Sequence, residues 1–157
     1  MKKNTVRAVL GIAALSLAAA AHAQMSAEDM IKARQSGFTF MAWNMGKIKA
    51  QVVDGAVPYD KDQVSAAANA IAAVANSGMG ALFAPGTDMG VGWKQTRLKS
   101  NYFDEPEKVR EIAMNWVKET NRLQEIATGG DQAAIAQQFG EVGKACKACH
   151  DNYREEE

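Results

Sequence analysis

Asp131–Arg154 reads DQAAIAQQFGEVGKACKACHDNYR, and this stretch decides the fold. Asp131 follows Gly129-Gly130 and supplies the side-chain oxygen that an opening helical turn needs. Ile135, Val142, Ala145 and Cys149 then recur at helical spacing and make an inward face. Cys146, Cys149 and His150 stand at i, i+3 and i+4, so one side of that helix carries two thiols and an imidazole. Cys146-Lys147-Ala148-Cys149-His150 is a C-x-x-C-H, the attachment pattern of c-type haem. Each thiol can add across a haem vinyl group, and the histidine can bind the iron from one side. The inward face then places the haem inside a helical bundle.

Other readings of the two cysteines fit less of the chain. A structural zinc site takes four ligands, and two Cys with one His fall short. A thioredoxin-like redox pair sits near a βαβ pattern, and no stretch here alternates as a strand does. A Cys146–Cys149 disulfide leaves His150 without a role.

Working outward, three more stretches read as helix. Ser26 to about Val53 carries Met30, Phe38, Met41, Met45, Ile48 and Val52 near a 3.6-residue period, and Asp54-Gly55 and Pro58 end it. Asp60 caps the next, with Gln63 as its capping-box partner and Val64, Ala67, Ile71, Val74 and Ala75 as its apolar face. Asp104, Pro106 and Glu107 mark the start of the third, which runs through Val109, Ile112, Ala113, Trp116, Leu123 and Ile126 to Gly129-Gly130. Four amphipathic helices with two short junctions predict an all-α antiparallel four-helix bundle. The connection from about Ser77 to Phe103 is long and holds Gly78, Gly80, Pro85, Gly86, Gly90 and Gly92. It either wraps the edge of a cofactor or is a mobile excursion.

Residues 1–23 read as a cleaved signal peptide. Lys2, Lys3 and Arg7 precede the apolar run Val9–Ala21, and Ala21-His22-Ala23 is an A-x-A cleavage site. Residues 24–157 are then one exported domain, which in a bacterium means the periplasm. The full chain holds 18 basic and 18 acidic residues, and the signal removes three basic ones, leaving an acidic excess. That gives no footprint for nucleic acid, and no membrane insertion is expected after cleavage. His22 leaves with the signal, so His150 becomes the only histidine of the mature chain. Bis-histidine ligation within one chain and a distal catalytic histidine of the peroxidase kind are thereby excluded, and the chain is not expected to be an enzyme.

Two charged residues stand out around this framework. Arg34 lies on the otherwise apolar stripe of the first helix, where an unpaired charge is costly. Haem propionates would supply the anion, and Arg can hold a carboxylate through two bonds. Arg154 is four residues after His150, on its side of the helix. It either places a positive charge near the proximal face or frays into solvent with Glu155–Glu157.

These motifs together resemble the cytochrome c′ family, the class II c-type cytochromes. The signs are Cys146-Lys147-Ala148-Cys149-His150-Asp151-Asn152-Tyr153-Arg154, Ala33-Arg34-Gln35-Ser36-Gly37-Phe38-Thr39, Pro58-Tyr59-Asp60 and Phe83-Ala84-Pro85-Gly86-Thr87-Asp88. Cytochrome c′ is itself a standard example of the four-helix bundle, so the family implies the architecture. It implies one covalent haem c per chain on Cys146 and Cys149, with His150 as the proximal metal ligand. Arg34 and Gln35 match propionate contacts, and Thr87 and Asp88 match loop positions beside the haem. Arg154 matches the basic residue near the proximal face. Phe38 falls where a bulky apolar residue covers the vacant distal side. The resemblance further implies a five-coordinate iron, nitric oxide and carbon monoxide as gas ligands, and a homodimer built through the first two helices. Electron transfer to a protein partner that the sequence does not identify can coexist with gas binding. The alternative is a low-spin class II electron carrier with His/Met ligation. Its methionine would come from the first helix, as Met41 or Met45 in a rotated register.

Overall fold

A computed structural model describes residues 25–156; the expected signal segment 1–23 lies outside them. Four helices form as the apolar periods predict: α1 (Ala27–Ile48), α2 (Lys61–Ala75), α3 (Pro106–Gly129) and α4 (Gln132–Tyr153). No strand is present among the described residues, only isolated bridges Val91–Gln95 and Leu98–Arg154. None of the described helices is long and apolar enough to cross a membrane.

Local chemistry sets most of the helix ends. The Ser26 side chain accepts from the Asp29 amide at the start of α1. Asp131 accepts from the Ala133 and Ala134 amides at the start of α4. Each satisfies donors that the first turn leaves free. Asp60 caps α2 as expected, accepting from the Gln63 amide at 3.0 Å. The other half of the expected capping box differs, because the Asp60 amide donates to Gln51 Oε1 at 2.8 Å. Gln51 lies in Lys49–Val53, where the last turn of the first helix widens to π-helical form. The start of α3 also differs from the sequence reading. Glu105, not Asp104, is the N-cap residue, and it makes no side-chain cap bond. Pro106 at the first position brings no amide that needs a partner there, and the Glu105 carboxylate is free to accept from Tyr153 instead. Gly130 closes α3 in the left-handed region (φ 81°), and a Cβ there would stand 2.9 Å from the Lys61 side chain.

The helices pack in sequence order: α1 on α2, α2 on α3, α3 on α4. The circuit closes where the π-helical segment meets α4. The core lies at that closed end. Ile48, Val64, Ala67, Ala68, Ile71, Leu123, Ala127, Ile135 and Val142 expose no surface. Met41 belongs to the same cluster, and Met45 packs against it. At the opposite end stand the first half of α1, the start of α3 and the last turns of α4. The connection 76–105 crosses this end and is ordered by two short 3₁₀ turns, Met79–Leu82 and Ser100–Phe103. Its mobile-excursion reading is replaced by a pinned loop.

Candidate haem site

The C-x-x-C-H segment lies in the last two turns of α4, with Cys146 and Cys149 as partly exposed free thiols and His150 exposed. Burial pushes both thiols up from their ordinary pKa, so they stand as neutral S–H groups. His150 is pushed down, first by burial and then by the Arg154 charge, with Arg97 adding to it and Asp151 opposing. A neutral imidazole keeps the lone pair that a metal needs. Arg97, Lys99, Asp151 and Arg154 line an open cleft of about 410 Å³ around His150. Arg154 lies just past α4 in extended conformation and lines the same cleft as His150. It is also tied to the loop through the Leu98–Arg154 bridge.

A wall of rings runs from this segment across to α1. The Tyr102 and Tyr153 rings meet at 5.6 Å, Tyr102 stacks on Phe83 at 5.1 Å, and Phe83 meets Phe38 at 6.4 Å. Phe38 also touches Trp116 at 6.0 Å. Phe38 stands on α1, not on the helix of the thiols, and is 38 % exposed. It is a rim residue and not part of the closed core.

Arg34 is only 5 % exposed. It donates to Thr87 Oγ1 at 2.7 Å, to the Thr87 carbonyl, to Thr96 Oγ1 and to the Leu82 carbonyl at 3.1 Å. All these partners are neutral. Among the described residues no carboxylate lies in ion-pair range of Arg34, although Asp88 is near enough for its charge to be felt. The anion expected beside Arg34 is therefore not supplied by a described side chain. Gln35 holds the neighbouring loop: its Nε2 donates to the Lys94 carbonyl, and its Oε1 accepts from the Trp93 and Lys94 amides. Gly92 makes that approach possible, because a Cβ there would stand 2.7 Å from both Gln35 Oε1 and Ile31. Thr87 and Asp88 are brought to Arg34, Thr87 by direct bonds.

The sequence reading missed Thr96, Arg97, Tyr102 and Trp116 as parts of this site. Thr96 and Arg97 carry no local signal, since their contacts cross 58 to 62 residues of chain. Trp116 was visible only as an apolar position of the third helix, and Tyr102 not at all.

The residues present fit a haem. Two thiols and an imidazole share a helical face, an aromatic wall continues from them, and a buried cation lies beside polar loop groups. The family model described as Cytochrome C′ matches residues 29–154. The chain belongs to the cytochrome c′ family. It is thus a haem protein, and the family implies haem c. The chain is 49 % identical over 155 residues to the cytochrome c′ of Allochromatium vinosum, covering 98 % of this chain and 99 % of that protein. A solved cytochrome c′, described as having an unusual ligand-controlled dimer dissociation, superposes with a TM-score of 0.80 at 50 % identity, over 85 % of this chain and 100 % of that one. A nitric oxide complex of a mutant cytochrome c′ from Alcaligenes xylosoxidans superposes with a TM-score of 0.73 at 30 % identity, over 83 % and 98 %. These matches agree with the four-helix architecture built above from caps and periods.

Proposed function

We propose that this family member is a periplasmic, high-spin, five-coordinate haem c protein that binds nitric oxide and carbon monoxide, with electron transfer as a coexisting role. Haem iron, when bound, supplies an open coordination position for a diatomic gas and a one-electron couple. Cys146 and Cys149 would hold one haem covalently, and His150 would ligate the iron. Arg34 would bind a propionate, with Thr87, Asp88 and Gln35 shaping the loop beside it. Arg154 would favour the reduced state as a fixed positive charge on the proximal side.

The observation that carries this reading is Phe38. It joins the aromatic wall on α1, and its side chain has no atom that ligates iron. The Phe38 ring itself offers bound oxygen no hydrogen-bond donor and disfavours polar ligands, so it selects by size and polarity. Met41 lies in the closed core and Met45 packs on that core, which favours the five-coordinate reading over the His/Met alternative. The nitric oxide complex of the Alcaligenes relative supports the choice of gas. On this reading the protein is a binder and carrier, not an enzyme.

The dimer belongs to the same reading. Phe40 and Trp43 are exposed on α1, with ring centroids 5.7 Å apart. A second copy packed along the first two helices would cover them. The 50 %-identical relative with ligand-controlled dimer dissociation supports this.

Absorption spectra of the purified protein, ferric and ferrous, with and without each gas, test the reading. Adducts with nitric oxide and carbon monoxide are expected. An unchanged spectrum on adding either gas contradicts it.

A further inference from the structure

Phe83 has no assigned role above, yet it joins the Phe38 ring to both Tyr102 and Arg34. On one side its ring meets the Phe38 ring at 6.4 Å and 68°, edge to face. On another it stacks on Tyr102 at 5.1 Å and 24°. The Arg34 guanidinium lies 4.7 Å from its centroid, within cation–π range. Arg34 in turn is fixed by Thr87, Thr96 and the Leu82 carbonyl. Phe83 therefore lies between the hydrogen-bonded Arg34 and the Tyr102 ring, while Phe38, its outer neighbour, is 38 % exposed. Trp116 at 6.0 Å bounds Phe38 on α3. A ring that must swing aside to admit a gas thus has packed neighbours on two sides.

We propose that Phe83, held by Arg34 and Tyr102, is a positioning residue that fixes the Phe38 ring across the open end of the bundle and so sets how readily a diatomic gas enters. The inference rests on the gas-binding reading above. It adds that entry is controlled by a pair of rings, one mobile and one anchored, and not by the size of Phe38 alone. It also ties the gate to the Arg34 network, so that disturbing the loop at Thr87 and Thr96 loosens the distal ring.

The test is carbon monoxide association with the ferrous holoprotein after flash photolysis. It is run on wild type, Phe83→Ala, Phe38→Ala and the double variant. Phe83→Ala is expected to speed association by about threefold to tenfold, the range implied by losing one aromatic pair. In the Phe38→Ala background the same substitution is expected to add nothing, because Phe83 acts through Phe38. Near-ultraviolet circular dichroism, read before any gas is added, is expected to lose aromatic signal in Phe83→Ala. An unchanged rate in Phe83→Ala, or a full additional increase in the double variant, overturns the proposal. Should Phe83→Ala not fold, the volume-conserving Phe83→Leu takes its place in the same four-way comparison. A wild type that forms no carbon monoxide adduct would contradict the gas-binding reading itself. A wild type that forms one, with rates indifferent to Phe83, contradicts only the role given to Phe83.

Discussion

At the closed end of the bundle, Ile48, Val64, Leu123, Ala127 and Ile135 expose no surface. At the other end, Phe38 is 38 % exposed and both cysteines stand partly open. The closed end is filled mainly by aliphatic side chains, with Tyr59, Phe139 and Trp116 packed against them. The open end is lined by rings, thiols and a buried arginine. Helix packing suffices for the first. The second is held in place by hydrogen bonds from α1 to a loop about sixty residues away, through Arg34 and Gln35. The fold thus stabilises itself at one end and leaves the other shaped for an occupant.

Substitutions at the two ends should separate these roles. The largest expected effect is at the cysteines. Cys146→Ser with Cys149→Ser should abolish covalent haem, so that acidified acetone extracts all of the pigment from the double variant and none from wild type. Next is the closed end, where Leu123→Ala should cost about 2–5 kcal/mol in urea unfolding, the range for a buried Leu whose cavity does not refill. Phe38→Ala should cost less than Leu123→Ala, since its ring is already partly in water, and should show instead in the gas association rate. A Phe38→Ala penalty equal to that of Leu123→Ala would erase the distinction between the ends.

Arg34 sharpens the comparison from the loop side. Arg34→Gln removes the donors that pin Thr87, Thr96 and Leu82, and should cost about 1–3 kcal/mol, the usual penalty for leaving buried polar groups unpaired. Limited proteolysis should then cut the loop between residues 82 and 96 faster than in wild type. Unaltered cleavage would mean that Gln35 alone holds the loop.

The smallest effect concerns pH. Burial, then the hydrogen bond to Glu105, pushes the Tyr153 phenol from 10.0 up to about 12. Below pH 10 the folded and unfolded chains both hold this proton. Between about pH 10 and about pH 12 only the folded chain holds it, so unfolding releases a proton and stability falls as pH rises through that window. Urea melts should show this decline in wild type and a flatter profile in Tyr153→Phe.

Much of this molecule was legible in its sequence because the signals are local. The caps at Asp60 and Asp131 and the apolar periods give four helices without reference to the rest of the chain. The C-x-x-C-H follows from spacing on one helix. The Arg34 partners were not legible, because Thr87 and Thr96 lie 53 and 62 residues away and carry no pattern. An anion was expected beside Arg34, and the described side chains provide neutral acceptors instead. The N-cap of α3 was misplaced by one residue, because the carboxylate at 105 is drawn to Tyr153 and local capping rules do not see that partner. Phe83 lay inside a recognised loop motif, yet its position depends on α1 and on Tyr102 and so emerges only in three dimensions.

Resonance Raman spectroscopy of the ferrous protein, before nitric oxide is added, tests the central claim most directly. A five-coordinate, high-spin iron is predicted, because Phe38 brings no ligand atom to the open end. A six-coordinate, low-spin signature that is lost in Met41→Ala or Met45→Ala would contradict the account and place a methionine on the iron.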